Sequence, residues 1–424
     1  MPITVIKIVI IAISIVLMNA ALLAQTKPPR GKDFIAGLLQ SHSRLFSKVL
    51  QNPEKYEVQV LYTQINRDKN NKPSFTTYSY QADARQYFYP ASTVKLPAVL
   101  LSLEKLNQLN VLGLTKESRL KIDSTCTRQA TVTEDTTAAD GKPSLAHYIK
   151  KILLVSDNDA YNRLYEFVGQ KGMHDGLHNK GFTNNRLIKR LQIGSRTEED
   201  RCGNAFTFYN KSGDNIYQQP ATYNQEVYPN RLQTTLKGKG YMQQDTLVEK
   251  PMDFSHLNQI ALQDLHGILQ SLIFPEAVSE KQRFGLTEED YQFVYKYMSM
   301  FPEEIKSPTY DTSYYNSYGK FFLYGDTKKK IPASIRIFNK AGWAYGQLTD
   351  NAYIIDLENK VEFLLTATIL VNENGIYNDN LYEYDTIGKP FLANLGKVIY
   401  EYEHKRKKKN LPDLSKFNIK YTRQ

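Results

Sequence analysis

The chain has 424 residues, of which 41% are hydrophobic and 23% are charged, and its formal net charge at pH 7 is +10. These proportions are those of a globular protein and exclude an intrinsically disordered chain. The basic run at residues 405–409 supplies half of the charge, and no recognised nucleic-acid-binding motif accompanies it, so we expect no nucleic-acid partner.

The first 24 residues predict an export signal. Lys7 gives a short positive region, residues 8–17 form an apolar core, and small residues at 20–24 precede a polar stretch. The apolar run is short for a spanning helix and polar chain follows at once, which favours a secretory signal. An uncleaved anchor stays open as the alternative, because Leu22 is a poor residue just before the cleavage point. We therefore expect a periplasmic or secreted protein.

Apolar residues recur at helical spacing over 33–51, and strand-like runs at 56–62 and 74–80 flank an Asn-rich stretch typical of a hairpin. From 91 to about 190 the pattern is helical. The further predicted elements are helices at 145–154 and 160–168, a polar insertion of loops and short hairpins at about 195–255, helices at 257–273 and 288–300, strands at 334–338, 351–357 and 361–371, and a helix at 391–404.

This order of elements suits one sheet built from both ends of the chain. We predict an α/β protein, a three-layer α-β-α sandwich whose antiparallel sheet comes from residues 33–90 and 331–404. A mostly helical subdomain over 91–330, which includes the insertion, would lie between these parts. The folded domain would span 25–404, and the basic tail at 405–424 is predicted to be solvated or disordered.

Two cysteines, Cys126 and Cys202, are too few for a disulfide framework, although they can pair in an oxidising compartment or remain free. No Cys-x-x-Cys or Cys/His cluster suggests zinc. His174 and His178 are four residues apart, but the glutamate of a zinc-protease helix is absent. We expect no metal and no other cofactor.

A serine and a lysine three residues apart open the apolar helix that begins near residue 91. Ser92 and Lys95 would lie on one helix face, so that hydroxyl and amine can meet. A desolvated lysine has a lowered pKa and can accept the serine proton, which activates the hydroxyl as a nucleophile. The helix start also directs free backbone N–H groups toward a reacting carbonyl.

The spacing alone is not specific, because the chain has four Ser-x-x-Lys matches. Two later motifs single out the first. Ser156-Asp157-Asn158 falls between two predicted helices, and Lys340-Ala341-Gly342 ends a predicted strand. For Ser156 and Asn158 the structural alternative is a helix N-cap. The other three matches are expected to be solvated helix faces: Ser102/Lys105, Ser118/Lys121 and Ser317/Lys320.

Ser-x-x-Lys, Ser-Asp-Asn and Lys-Thr-Gly, in this order, are the motifs of beta-lactamases and penicillin-binding proteins. The sequence resembles that family, and above all its class A beta-lactamase branch, over roughly 33–404 apart from the insertion. Lys211-Ser212-Gly213 matches the third motif better letter for letter, but it reads as a hairpin turn in the insertion. We favour Lys340, which is predicted on a sheet strand.

The resemblance implies a role for each residue. Ser92 would attack the carbonyl, and Lys95 would take or relay its proton. Ser156 would pass a proton to the leaving nitrogen, and Lys340 would hold Ser156 and attract an anionic substrate. The implied substrate-binding groups are the Asn158 side chain, Ala341, Gly342, and the backbone N–H groups of Ser92 and Trp343 as oxyanion hole.

Two departures from the class A pattern bear on the expected reaction. The glutamate that activates the deacylating water has no counterpart in the matching stretch, residues 185–192. Glu198 and Glu199 are candidates for a substitute, with a solvated acidic loop as the alternative, and Glu166 is no better placed. Ala341 lacks the hydroxyl that usually contacts the substrate carboxylate, a loss of about 1.5–3 kcal/mol.

These departures weaken the case for efficient antibiotic hydrolysis but not for acylation. The sequence predicts an exported serine hydrolase that is acylated at Ser92 by a beta-lactam or a related amide or ester and is then hydrolysed. A peptidoglycan D,D-peptidase or esterase is the first alternative, and a non-catalytic envelope-binding module is the second. We expect a monomer whose partners are a beta-lactam or peptidoglycan-derived small molecule and, at the basic tail, anionic envelope polymers or lipid head groups.

Overall fold

The computed structural model describes residues 32–125, 130–194 and 197–421. The predicted signal at 1–24 and Cys126 lie outside these ranges. None of the helices within them combines the length and the apolar character needed to cross a membrane.

The helices are α1 (Lys32–Ser41), α2 (Ser43–Gln51), α3 (Lys95–Leu109), α4 (Leu145–Val155), α5 (Asn158–Val168), α6 (Gln170–Asn179), α7 (Thr197–Asp200), α8 (Leu262–Ile273), α9 (Glu288–Ser299) and α10 (Lys389–Lys405). The strands are β1 (Gln59–Arg67), β2 (Pro73–Tyr80), β3 (Arg119–Ile122), β4 (Asn185–Arg186), β5 (Cys202–Gly203), β6 (Phe206–Tyr209), β7 (Asn215–Gln219), β8 (Thr222–Tyr223), β9 (Leu236–Lys237), β10 (Gly240–Gln243), β11 (Thr246–Val248), β12 (Met252–Asp253), β13 (Gln259–Ile260), β14 (Ile335–Asn339), β15 (Gly342–Ala344), β16 (Gln347–Asp356), β17 (Val361–Leu370) and β18 (Ile376–Tyr377).

The central sheet is antiparallel and uses both ends of the chain, as predicted. Its order is β14-β16-β17-β1-β2, and the short strand β15 also pairs with β16. Strand β1 from the N-terminal part pairs with β17 from the C-terminal part, with Val60 opposite Ala367. The β1–β2 hairpin closes where Asp68 Oδ1 accepts hydrogen bonds from the backbone N–H groups of Asn70 and Lys72.

Helices cover both faces of this sheet, which confirms the three-layer α/β architecture. Alternate residues of β16 point to opposite sides: Tyr353 belongs to the apolar cluster under α3, α4, α5, α8 and α9, and Ile354 to the cluster under α1, α2 and α10. Strands β16 and β17 are buried almost throughout, as expected for strands packed on both faces.

Several element boundaries differ from the predicted ones. The single helix predicted at 33–51 is two helices, because His42 leaves the helical conformation with φ −114° and ψ 31°. The strand predicted at 351–357 starts four residues earlier, at Gln347, because the turn after β15 folds it back onto the sheet. Strand β3 lies inside the region predicted as helical and pairs with β6 of the insertion.

The described part of the insertion, residues 197–255, consists of short strands and turns, as predicted, together with the short helix α7, and it packs on the rest of the domain. Its strand β10 pairs with β18, and Thr234 Oγ1 accepts a 2.8 Å hydrogen bond from the backbone N–H of Tyr87. Lys237 forms a 2.8 Å ion pair with Glu57. Cys202 is disulfide-bonded.

The prediction of a solvated or disordered tail is wrong for its described part. Arg406 pairs at 2.8 Å with the fully buried Glu403 and donates to Asn66, so part of the basic run balances a buried carboxylate. Leu414 and Phe417 are 1% and 2% exposed and belong to the main apolar cluster. The prediction was based on the basic run and did not take account of these two apolar residues, which follow the run in the sequence.

Candidate active site

The nucleophile candidate lies on a tight turn against a glycine strand. Residues Ala91–Val94 form a 3-10 turn that leads directly into α3, and Ser92 is half-buried. Strand β15 passes this turn so closely that a Cβ on Gly342 would lie 2.5 Å from Ser92 N. Only a glycine fits this approach of backbone to backbone, which keeps the backbone N–H groups of Ser92 and β15 together.

The Ser-Asp-Asn motif forms the sharp link between α4 and α5. Ser156 ends α4 in the left-handed conformation, with φ 63° and ψ 37°. Asp157 caps α5, because its Oδ1 accepts a 2.8 Å hydrogen bond from Ala160 N. The N-cap interpretation thus applies to Asp157, and it leaves the side chains of Ser156 and Asn158 for the cleft.

Two lysine amines from distant parts of the chain meet at Ser156. Lys340 Nζ lies 2.8 Å from Ser156 Oγ, and Lys95 Nζ lies 3.2 Å from the same oxygen. Lys95 Nζ also donates to the Ser156 carbonyl at 2.5 Å and to Asn158 Oδ1 at 2.6 Å. The Ser92 hydroxyl makes no hydrogen bond to Lys95 here, so the predicted direct contact is not formed.

The other Lys-Ser-Gly sequence has a different setting. Lys211 lies on an exposed turn between β6 and β7, whereas Lys340 directly follows β14 and is 4% exposed. Trp343 on β15 is half-buried and its ring packs against Phe321. Ala341 is buried, and its carbonyl accepts a 2.8 Å hydrogen bond from Lys340 Nζ.

Burial and the charge of a neighbouring lysine weaken the basicity of both amines. Burial, and then the neighbouring Lys340 charge, hold the pKa of Lys95 well below its ordinary value. Burial lowers the pKa of Lys340 to about 7. The negative charge of Asp350 raises this pKa in part, and the positive charge of Lys320 lowers it further. A lysine with such a pKa can serve as a general base near neutral pH.

A buried polar group that sequence reasoning missed lies behind Lys340. Lys320 Nζ donates to Asn339 Oδ1 at 3.0 Å and to the Ile337 carbonyl at 2.9 Å, and burial lowers its pKa to about 7. Asn339 Nδ2 in turn donates to Asp350 Oδ1 at 2.8 Å. The only sign of Lys320 in the sequence analysis was its place in one of the other Ser-x-x-Lys matches, Ser317/Lys320.

The expectation of solvated helix faces for the three other matches is wrong. Lys320 is 4% exposed, and Ser102 is fully buried, with its hydroxyl donating to the Ala98 carbonyl. Lys105 donates to the Phe167 carbonyl, so the amine is held by backbone rather than water. Lys121 lies on strand β3 and pairs with Asp123.

The carboxylate candidates for water activation have other partners. Glu166 is buried and accepts from Arg190 and Asn204 at 3.1 and 3.0 Å. The carboxylate of the exposed Glu198 accepts a hydrogen bond from the Tyr223 hydroxyl, and Glu199 is held through its backbone carbonyl, which accepts from Arg190. Within the described ranges, no carboxylate hydrogen-bonds the side chains of Ser92, Lys95, Ser156, Asn158 or Lys340.

Instead, Asn158 has an amide partner from the stretch that matches the deacylation loop. Asn158 Nδ2 donates to Gln192 Oε1 at 2.6 Å, and Gln192 takes a left-handed conformation with φ 59°. Sequence reasoning placed Gln192 in that loop without assigning it a contact. The described part of the chain contains no group of three or more His, Cys, Asp or Glu residues arranged to hold a metal ion.

A model of the beta-lactamase enzyme family matches residues 44–287, more than half of the chain. No curated protein sequence matches. A beta-lactamase from Xanthomonas campestris pv. campestris is similar at 13% identity, over 88% of this chain and 98% of that chain. A beta-lactamase from Chitinophaga pinensis is similar at 10% identity, over 86% of this chain and 99% of that chain, and PBP-A at 13% identity, over 87% of this chain and 97% of that chain. The TM-score of each of the three solved structures is 0.48. Their TM-scores are below 0.5, so we base no conclusion on these structures.

Proposed function

Because the chain belongs to the beta-lactamase enzyme family, we propose that it is an exported serine hydrolase that forms an acyl-enzyme at Ser92 with a beta-lactam or a related amide or ester. One observation supports this most strongly. The Ser156 hydroxyl lies between the amines of Lys95 and Lys340, at 3.2 and 2.8 Å, beside the turn that carries Ser92. A hydroxyl held in this way can pass protons between its neighbours.

Acylation needs a base for the Ser92 proton, and Lys95 suits this role. Its amine is buried and lacks a carboxylate partner among the described residues, so the neutral form is favoured. Ser92 Oγ would bond to the substrate carbonyl carbon as its proton passes to Lys95 Nζ. The negative carbonyl oxygen would then accept hydrogen bonds from the backbone N–H groups of Ser92 and Trp343.

Collapse of this intermediate breaks the bond to the leaving nitrogen. Ser156 would give its proton to that nitrogen and recover one from Lys95, which returns Lys95 to the neutral form. Lys340 would keep the Ser156 hydroxyl oriented and, with Lys320 behind it, would make the cleft positive. We therefore propose an anionic substrate, such as a beta-lactam or a peptide with a free carboxylate.

A D,D-peptidase or esterase is the second candidate, and the contact of Gln192 favours it. An uncharged amide occupies the position beside Asn158, and an amide cannot remove a proton from water. Hydrolysis of the acyl-enzyme would then be slow, and transfer to another acceptor would compete. Glu166, paired with Arg190, is committed to the fold rather than to a water.

Export and envelope contact complete the proposal. The signal-like first 24 residues support a periplasmic or secreted location. Lys405, Lys407 and Lys409 remain exposed after Arg406 and Lys408 turn to Glu403, and they offer a small cationic edge to anionic polymers or head groups. We propose that the protein acts as a monomer on a small-molecule substrate without a cofactor.

Incubation with benzylpenicillin followed by intact-protein mass spectrometry tests the proposal. We expect one adduct per chain on the parent and none on Ser92→Ala. Parallel assays with a chromogenic cephalosporin and a D-Ala-D-Ala peptide separate the two enzyme candidates, since a beta-lactamase turns over the first and a peptidase the second. An unmodified parent protein that turns over neither substrate would favour the non-catalytic envelope-binding module.

A further inference from the structure

A second concave site lies apart from the cleft. A cavity of about 350 Å³ is bounded by residues 84–88 ahead of the nucleophile turn, residues 183–186 and residues 228–232 of the insertion. Its size falls within the range of about 300–1,000 Å³ that is usual for small-molecule sites. It shares no lining residue with the small pocket that contains Ser156, Lys340 and Trp343.

The lining of this cavity is cationic. Arg186 and Arg231 line it, and its described lining residues include no aspartate or glutamate. Arg186 donates to the carbonyls of Tyr228 and Ser255 at 2.5 and 2.6 Å, and it forms no ion pair with a described carboxylate. Arg231 is exposed and likewise forms no ion pair within the described ranges. A half-buried guanidinium without a counterion favours binding of an anion.

One polar atom of the lining residues, Asn185 Oδ1, is buried without a hydrogen-bond partner in the described structure. Asn185 Nδ2 is occupied by the Phe182 carbonyl and Asp264 Oδ2, which leaves the acceptor oxygen unused. A buried polar atom without a hydrogen-bond partner destabilises the folded state. A bound molecule that supplies O–H or N–H groups would remove this destabilisation.

One wall of the cavity is rigid and uncharged. The Tyr228 ring stacks on the His174 ring, with centroids 3.5 Å apart and planes 8° apart. Burial lowers the pKa of His174 to about 4, so the ring is neutral near pH 7. His174 Nδ1 donates to the Gln170 carbonyl and Nε2 accepts from Leu187 N, so neither nitrogen needs a ligand. His174 therefore adds no positive charge to the site, whereas the two arginines do.

We propose that this cavity binds a small organic anion that also carries hydroxyl groups, of the class of sugar carboxylates and sugar phosphates. The anionic group would pair with Arg186 and Arg231, and a hydroxyl group would donate a hydrogen bond to Asn185 Oδ1. An aliphatic anion without hydroxyls would satisfy only the first of these requirements. The assignment is independent of acylation at Ser92.

Isothermal titration calorimetry on the mature chain tests this with three probes: glucuronate, glucose 6-phosphate and neutral glucose. We expect saturable binding of at least one of the two anionic sugars, with their relative affinities showing whether a carboxylate or a phosphate is preferred. Glucose should bind at least about tenfold more weakly, because it cannot form charged hydrogen bonds with the arginines.

Variants then locate the binding site. Arg231→Gln should weaken binding of the preferred anion by about tenfold or more, and Arg44→Gln, which removes an exposed arginine of α2, should not. Ser92→Ala should bind as the parent does, which separates this site from the cleft. Failure of both anionic sugars to bind, equal affinity for glucose, or an Arg231→Gln variant with parental affinity would overturn the proposal whether or not penicillin acylates the protein.

Discussion

The front and the back of the cleft differ in how their charges are balanced. At the front, Lys95, Ser156, Asn158 and Lys340 hydrogen-bond one another, and no described carboxylate joins them. At the back, the fully buried Asp350 accepts hydrogen bonds from Asn339 Nδ2 and from the backbone N–H groups of Asn351, Phe321 and Phe322. The buried Asp350 is therefore held behind the reactive side chains, and Asp157, whose charge favours the protonated form of Lys95, makes no hydrogen bond to them.

This difference indicates a division of roles between the lysines. Asp350 favours the charged forms of Lys320 and Lys340, because opposite charges attract strongly where water is excluded. Lys95 lies farther forward, and the charge of Lys340 acts against its protonation. In the proposed reaction we therefore expect Lys95 to act as the base and Lys340 to carry the positive charge. The two lysines differ in expected charge because Asp350 lies near Lys340 and no described carboxylate hydrogen-bonds Lys95.

Removal of the base at the front should have the largest effect. Lys95→Met keeps the length and apolar volume of the side chain but removes the amine, so acylation by benzylpenicillin should slow by about 100- to 10,000-fold. Stopped acylation reactions analysed by mass spectrometry give the rate. Lys105→Met is the matched control, because Lys105 is another partly buried lysine of α3, and its amine contacts the backbone carbonyl and the ring of Phe167. Equal losses in both variants would contradict the role of Lys95.

Two substitutions at the back of the cleft should move the pH profile of the acylation rate in opposite directions. The pKa of Lys340 is about 7, so Lys340 is charged below that pH and neutral above it. Acylation of the protein by an anionic substrate should therefore be fastest at pH values below 7 and should slow as the pH rises through 7. Asp350→Asn removes a stabilising negative charge and should move this decline to lower pH. Lys320→Met removes a repelling positive charge and should move it to higher pH. Each shift should be about one pH unit.

The signs of these two shifts separate electrostatics from simple loss of packing. Both variants alter fully or nearly fully buried side chains and should lower the free energy of unfolding. Damage to packing alone would lower the acylation rate of both without moving the midpoint of the pH profile. Shifts in the same direction would contradict the proposed charge balance.

The smallest expected effect concerns the amide that holds Asn158. Gln192→Ala removes one hydrogen bond of 2.6 Å, which contributes about 1 kcal/mol, so kcat/KM should fall about fivefold. Gln81→Ala is the control, because Gln81 is also exposed and also has a positive φ of 50°. Steady-state kinetics with a chromogenic cephalosporin or a D-Ala-D-Ala peptide would measure this. A parental kcat/KM in Gln192→Ala would exclude a positioning role for this contact.

The layered α/β fold could be predicted because local patterns and chain order agreed. Hydrophobic alternation and helical spacing identified most elements, and their order placed strands from both chain ends in one sheet. The break at His42 and the early start of β16 could not be predicted in this way. They depend on side-chain packing and on the turn after β15, which local patterns do not record.

The front of the candidate site could be predicted from its motifs, but the back could not. Ser156 and Lys340 belong to short ordered motifs, whereas Asn339 and Asp350 belong to strand sequences that resemble any buried strand. Lys320 was visible as a Ser-x-x-Lys match, but the apolar run that follows it, residues 321–323, was not assigned to any element. The docked tail was missed for a related reason, because its basic run dominated the two apolar residues that anchor it.

Mapping of the penicillin adduct tests the central claim most directly. Both lysine amines contact the Ser156 hydroxyl, so Ser156 is the rival nucleophile. Tryptic digestion separates the two serines into residues 86–95 and residues 152–163. Tandem mass spectrometry of the benzylpenicillin-treated protein should find the added mass on Ser92 within 86–95. An adduct on 152–163, or one that persists in Ser92→Ala, would contradict the account.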